Sequence, residues 1–471
     1  MKRRDALRVM GAATLSSLAT TTGFSASRRV HAQHQLAADR ITLGNSHFLS
    51  KTNPTATVDQ RDAEALAMQL IQTPIVRTAR DHAARRFRVL AKDMPDEAWP
   101  KFESMMDDCA YHYTLIAMNS DPSHPRVVCG LFGPPHEWFG MQVRASRGPA
   151  TAENVDASYS FIPVDGQSRY ELHGQRFDPA VGDCPIYVAS NLSMTINVDS
   201  VGLRDTRFNS DGSFLITIGP EPADPKSRRN HLQTTRDTRY LYTRDAMVDW
   251  QQVPNGYRIR RLDPPAAPPM TVAEKAALAA RFIVDDVGTS FMFMRLFAAQ
   301  AINTVTSPEV STVFGGQDAQ KVCRAHLQLA DDEAYVITLD PGGAGYHVAT
   351  ANNMWLEALD YWNRTSSLNS AQSIANADGT TTYVVSNQDP GVHNWIDTVG
   401  LRETLIIIRL QLLPRNADGS YGGRISTTGQ LVKLVALDRA LPTGMKRVTA
   451  DERRQQIAQR QENFKLRFVD R

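Results

Sequence analysis

Nine residues, Asp389-Pro390-Gly391-Val392-His393-Asn394-Trp395-Ile396-Asp397, gather two carboxylates, an imidazole, an amide and an indole. Imidazole titrates near neutral pH, so His393 is a candidate catalytic base, with Asp389 or Asp397 to orient it. Trp395 can stack on a ring face, so with Asn394 beside it the same loop suits a sugar or another small organic ligand. An ordinary surface turn has the same composition. Earlier in the chain, Arg228, Arg229, Asn230 and His231 form a more cationic set, suited to a carboxylate or sulfate group.

Two arginines stand close to these loops. Period-two spacing puts Arg409 on one strand face with Leu405 and Ile407, and Arg244 on one face with Tyr240 and Tyr242. A guanidinium on an apolar face needs a partner, since leaving it buried and unpaired costs about 3–5 kcal/mol. The candidates are Asp389 and Asp397 for Arg409, and Glu221 or Asp237 for Arg244. Either arginine is then a ligand contact or a tie joining strand to loop, and its recurrence favours the tie.

The elements that must carry these side chains come as a repeated unit. Asp211 to Arg244 and Asp378 to Arg409 both run through Asp-Gly, a β-branched or aromatic strand, an acidic residue before Pro, an Asn, a Thr and a second strand ending in Arg. Tyr170 maps on Tyr335 and Arg244 on Arg409 at an offset of 165, and Asn230 on Asn394 at 164. Ile186 to Met194 maps on Tyr346 to Met354 at 160, and Asp211-Gly212 on Asp378-Gly379 at 167. A duplicated unit keeps its elements in order and changes its loops, which is the pattern seen.

Around the repeat the periodicity is helical. Thr57 to Gln60 reads as a capping box opening a helix through Ile71, followed by helices at 75–90 and 96–118. Period two begins near Arg126, with strands expected at 127–132, 139–143, 158–164 and 169–173. Pro264-Pro265 and Pro268-Pro269 mark a boundary, and 271–305 is helical. After a last strand at 431–437, Thr449 to Glu452 is a second capping box, and the charged helix it opens reads as a solvated surface helix.

The reading is therefore α+β and mainly antiparallel β. Residues 33–122 form a helical N-terminal region and 123–262 a first β domain. Residues 263–304 are a helical linker, 305–440 a second β domain repeating the first, and 441–471 a C-terminal helix.

Composition narrows the function classes. Of 471 residues, 42% are apolar and 22% charged, a globular balance. Residues 1–32 hold six basic residues against Asp5, so without them the formal charge of +2 becomes −3 and no long basic face is left for nucleic acid. Lys2-Arg3-Arg4, a moderately apolar stretch from Ala6 to Ala26 and small residues at Ala26 and Ala32 read as a twin-arginine export signal, which places the mature chain in the periplasm or outside the cell. No later segment approaches about 20 apolar residues, so no membrane span is expected after signal removal. Cys109, Cys129, Cys184 and Cys323 allow three complete pairings or stay as buried thiols.

Other motifs point to no cofactor. Pro341-Gly342-Gly343-Ala344-Gly345 has no following Lys-Ser/Thr and reads as a turn rather than a phosphate loop. No His-x-x-x-His or His-x-His pair in the mature chain supports a metal, and no Gly-x-Ser-x-Gly marks a nucleophile elbow.

Asn154-Val155-Asp156-Ala157-Ser158-Tyr159, Arg169-Tyr170-Glu171-Leu172-His173-Gly174, the two Asp-Gly turns, the 389–395 loop and Arg409 together resemble the bacterial families of unknown function 1214 and 1254. The resemblance spans about residues 150 to 415. It implies an exported protein built from β-sandwich or jelly-roll-like domains with helical additions, and it brings no established reaction. Two functions stand open: binding of a carbohydrate or other small organic ligand at the β-domain loops through Asn394, Trp395, Arg409, Asn230, His231 and Arg244, or a periplasmic hydrolase or lyase using His393 with Asp389 and Asp397.

Overall fold

The structure, a computed structural model, describes residues 41–468 apart from 132, 149–151, 180–184, 191–195, 224–229 and 311–318. The export signal at 1–32 lies outside the described residues, as do Cys184, Arg228 and Arg229. Three helices come first: α1 (Val58–Leu70), α2 (Pro74–Leu90) and α3 (Phe102–Met118). The first β region then runs β1 (Val128–Leu131), β2 (His136–Trp138), β3 (Met141–Val143), β4 (Ala157–Pro163), β5 (Tyr170–Gln175), β6 (Pro185–Ala189), β7 (Asn197–Gly202), β8 (Ser213–Gly219), β9 (His231–Gln233), β10 (Tyr240–Ala246) and β11 (Gly256–Arg261). A helix pair follows, α4 (Val272–Asp285) and α5 (Val287–Ala298). The second β region runs β12 (Thr304–Val305), β13 (Glu309–Val310), β14 (Lys321–Gln328), β15 (Glu333–Asp340), β16 (Tyr346–Asn352), β17 (Ser367–Asn369), β18 (Thr381–Ser386), β19 (Trp395–Asp397), β20 (Glu403–Gln411) and β21 (Ser426–Lys433), before α6 (Ala450–Lys465).

The repeat read from the sequence is a repeat of topology. The first region pairs its strands in the orders β1-β4-β10-β6-β7 and β11-β5-β8-β9. The second pairs them as β12-β14-β20-β16-β17 and β21-β15-β18-β19, the same order strand for strand. Pairing is mostly antiparallel, and each copy carries a parallel pair at the matching place, β8–β9 and β18–β19. Tyr170 and Tyr335 lie on β5 and β15, Asn230 and Asn394 immediately precede β9 and β19, and Arg244 and Arg409 lie on β10 and β20.

Each pair of sheets closes over its own core, because alternate residues of a strand face opposite sides. Ile162, Leu241, Ile186, Leu172 and Ile216 fill the first sandwich. Ile406, Ile408, Ala325, Ile337 and Val385 fill the second. The other faces of the β10 and β20 sheets, with Tyr240, Tyr242, Leu405 and Ile407, join the helices in a third and larger core. That third core positions the site, since it brings one sheet of each repeat against the same helical layer.

The helices differ from their sequence reading in two ways. Thr57 caps α1 by accepting from Gln60 N at 3.0 Å, but the Gln60 side chain does not complete the box. Its amide accepts from Cys129 N at 2.7 Å and donates to Cys129 O at 3.1 Å, extending β1 as a neighbouring strand would. The α6 helix has its capping box and an exposed charged face, but its other face is not solvated: Arg453, Arg460 and Phe464 are buried. Arg453 pairs with Asp389 at 2.9 Å, and Arg460 donates to Tyr361 O and to Ser367 Oγ, the latter at 2.7 Å. Charged residues fill a helix that faces the protein because their partners are waiting there.

Cys109, Cys129 and Cys323 are buried free thiols. Among the described residues no helix is long and apolar enough to cross a membrane.

Candidate functional site

Most side chains of the 389–397 loop are bonded within the protein. Asn394 accepts from Ile374 N at 2.9 Å and donates to Ile374 O at 2.8 Å and Thr382 O at 3.0 Å, which uses its amide fully. Trp395 is buried, donates to Ser386 O at 3.0 Å and lies under the Arg453 guanidinium, 5.1 Å from its ring centroid. Asp389 belongs to Arg453, and Asp397 pairs with Arg364 at 3.1 Å while burial raises its pKa.

His393 therefore has neither carboxylate to orient it. Its Nε2 lies 3.2 Å from Gln372 O, which fixes the proton on that nitrogen, and burial lowers its pKa. It does border a cleft of about 130 Å³ between residues 374–377, 393–394 and 443–446. In the first copy Asn230 repeats the Asn394 clamp on Arg207 and Leu215. His231 is held between Thr217 Oγ1 and Glu221 O, both at 2.8 Å. Short polar loops satisfy their side chains on nearby backbone, so local composition overstated their chemistry.

The two arginines have a different setting. Both lie on the sheet faces that meet the helical core, as period two predicts, and both are buried: Arg244 is 9% and Arg409 5% exposed. Neither finds the loop carboxylate expected of it. Glu221 and Asp237 are exposed, so they cannot follow Arg244 inward. Arg244 instead sits over the ring of Tyr159, directly across the β4–β10 pairing, with Nη2 3.5 Å from the hydroxyl and Tyr187 beside it. Arg409 donates from Nη2 to the carbonyl of Ala152, and its Nη1 is buried without a hydrogen bond. Burial pushes the Arg409 pKa down, and the nearby charge of Arg244 pushes the same way. The repeat-equivalent arginines thus share one buried space.

Residues just before β4 line that space from the first sandwich. Asp156, fully buried, accepts from Trp250 Nε1 at 2.6 Å and from the Tyr346 hydroxyl of the second sandwich at 2.7 Å. That hydroxyl also lies 3.2 Å from Asn154 Oδ1, and Asn154 N donates to Tyr159 OH at 3.2 Å. The junction between repeats is therefore pinned by the Asn154 to Tyr159 segment.

An acidic pole adjoins the arginines. Arg147 Nε lies 3.2 Å from Asp108 Oδ2 on α3 and 3.6 Å from Glu357 Oε1. Glu153 completes the group at 3% exposure; burial pushes its pKa up to about 7, against the pull of Arg147. Asp108 is pushed up to about 6, again chiefly by burial. Burial thus raises the proton affinity of Glu153 and of Asp108 despite the guanidinium beside them. Glu153 Oε1 and Glu357 Oε1 are buried without hydrogen bonds.

Sequence reasoning missed Asp108, Arg147, Glu153 and Glu357, which come from three distant segments. Asp108 within the apolar run of α3, and Asp156 in the stretch that carries the family resemblance, were the available signals.

An uncharacterized protein from Burkholderia cenocepacia is similar in structure, with a TM-score of 0.63 at 23% identity over 79% of this chain and 99% of that chain, a likeness of fold alone. A Vibrio parahaemolyticus protein matches at a TM-score of 0.35 and 11% identity, over 60% of this chain and 90% of that one, too distant to carry an argument. No curated protein matches the chain. Residues 155–245, which hold Asp156, Tyr159, Tyr187 and Arg244, match the model described as "Protein of unknown function (DUF1214)", so the resemblance to that family is borne out there and the chain carries a DUF1214 domain.

Proposed function

We propose that this chain binds a small organic anion, a carboxylate, between Arg244 and Arg409 at the junction of its two sandwiches. One observation carries the reading: Arg409, buried and close enough to Arg244 to feel its charge, donates to the Ala152 carbonyl, while its Nη1 has no hydrogen bond. A buried guanidinium left unpaired costs several kcal/mol, about 3–5, and a bound carboxylate would offset that with charge-assisted hydrogen bonds. The site is the interior of the repeat, not its loops. The twin-arginine-like leader supports a further proposal, that the ligand is met in the periplasm or outside the cell.

Native mass spectrometry of the chain purified from its own cells tests the reading, together with calorimetric titration of simple carboxylates. A small acid released on denaturation, or carboxylate binding lost in both Arg244→Met and Arg409→Met, is expected. Binding that persists unchanged in both variants would overturn it.

A further inference from the structure

A second cleft is independent of the arginine junction, and we propose that it takes a small quaternary ammonium compound in an aromatic cage. Its volume is about 520 Å³, ample for such a ligand. Three parts of the chain enclose it: the 49–56 segment before α1, the turn between β2 and β3, and Phe468 beyond α6. No residue of the arginine junction lines it.

The lining is aromatic and acidic. Trp138, Phe139 and Phe468 supply the rings, with the centroids of Phe139 and Phe468 lying 4.4 Å and 5.7 Å from that of Trp138. Phe468 stands at 89° to the indole, which gives the cleft two walls at a right angle. A cation is drawn to such ring faces by their quadrupole, and most strongly to Trp. Glu137 is the one charged side chain among the described lining residues, and no Lys or Arg lines the cleft to compete with a cationic ligand. The Glu137 carboxylate accepts from the neutral Gln142 amide at 2.5 Å and is exposed at the rim. Behind the indole, Glu64 accepts from Trp138 Nε1 at 2.6 Å, which fixes the ring and adds negative potential on that side.

The opposite wall disfavours a sugar. Ser50 Oγ accepts from Thr52 N and Asn53 N, and the Asn53 amide accepts from Thr55 N and donates to Arg467 O. A polyol needs side-chain donors and acceptors that this wall has committed to its own backbone, whereas a methylated cation needs none. Leu49 and Ala56 complete the wall with hydrocarbon.

The turn that delivers Phe139 is built against its backbone preference. Trp138 pairs with Met141, so Phe139 and Gly140 are the two turn residues, at φ +52 and +71. A tight turn with positive φ at both positions favours Asn or Gly, and a bulky aromatic there is strained. Strain of this kind concentrates where a ligand is clamped, and here it puts a ring on the cleft wall.

The test is calorimetry on the full chain with choline and with 3,3-dimethylbutan-1-ol, in which carbon replaces the charged nitrogen. Choline should bind about ten-fold or more tightly than the neutral isostere. Phe139→Gly removes the ring yet suits the left-handed turn, and with an intact fold by circular dichroism it should weaken choline binding by about ten-fold. Glu137→Gln, at an exposed position, should lower the affinity for choline and leave that for the neutral isostere unchanged. Equal affinity for the two probes, binding of neither, or choline binding unchanged in both variants would overturn the cage. Binding to phosphatidylcholine vesicles without binding of free choline would overturn the small-molecule ligand and assign the cleft to a lipid headgroup.

Discussion

Asn230 and Asn394 make the same three hydrogen bonds at corresponding places in the two sandwiches. Each accepts from the backbone N–H of one loop residue, Arg207 or Ile374, and donates to the carbonyl of that residue. Each donates again to the adjoining strand, at Leu215 or Thr382. The amide thus takes the place of a strand residue where the loop crosses the sheet. Asn394→Ala, at a fully buried position, should cost about 2–4 kcal/mol, and Asn230→Ala, partly exposed, about 1–2. Urea unfolding measures both, and ligand binding to the folded variants should be unchanged.

Three tight turns share one sequence, Asn-x-Asp-Gly-Ser/Thr, at 209–213, 376–380 and 416–420. In each, the Asn N–H donates to the Ser/Thr carbonyl and the Asp carboxylate accepts from the Ser/Thr N–H, with Gly at φ +81, +85 and +84. Gly379→Ala and Gly419→Ala meet no atom within 4 Å, so each should cost only the left-handed backbone penalty, about 1–2 kcal/mol. Gly212→Ala brings its Cβ to 2.7 Å from Arg176 O and should cost more than either. Equal losses at all three positions in thermal unfolding would refute this ranking.

Glu153 sets a pH dependence of stability. Its folded pKa is raised from 4.5 to about 7, so the folded state keeps a proton that the unfolded chain has released. The stability it contributes is complete below pH 4.5 and is lost as pH rises through about 7. Glu153→Gln, which mimics the protonated form, should therefore stabilise the chain at pH 8 by about 1–3 kcal/mol and have no such effect near pH 4.5. Paired unfolding curves at the two pH values check this.

His393 should titrate below 6.5, because burial disfavours its charged form. A lowered folded pKa means that its contribution is present above 6.5 and is lost as pH falls through the folded value. NMR titration of the ring gives the midpoint. His393→Ala should leave carboxylate binding unaltered, since the ring borders a separate cleft.

The strands and the repeat were legible because period two and the Asp-Gly turns are local signals, and Arg244 and Arg409 were placed on the right face of theirs. What covers that face was not legible. A strand pattern shows that a side chain is buried but not which distant segment meets it, so partners were sought in the nearest loops. The loop residues Asp389, Asn394 and Trp395 are spent on Arg453 and on backbone, while Asp108, Glu153 and Glu357 lie far apart in the chain and converge only through packing.

The three Asp-Gly turns bear on how the chain ages. At an Asp-Gly bond the following amide nitrogen can attack the side-chain carboxyl, expel water and close a five-membered ring that reopens as isoaspartate. Closure proceeds from the protonated carboxyl. Hydrogen bonds from the Thr380 hydroxyl and N–H lower the Asp378 pKa, and those from Ser420 lower that of Asp418. At 378 and 418 the contacts that shape the turn thus also withhold the reactive form of the acid, and the protection from slow covalent rearrangement lasts for as long as these two turns stay folded.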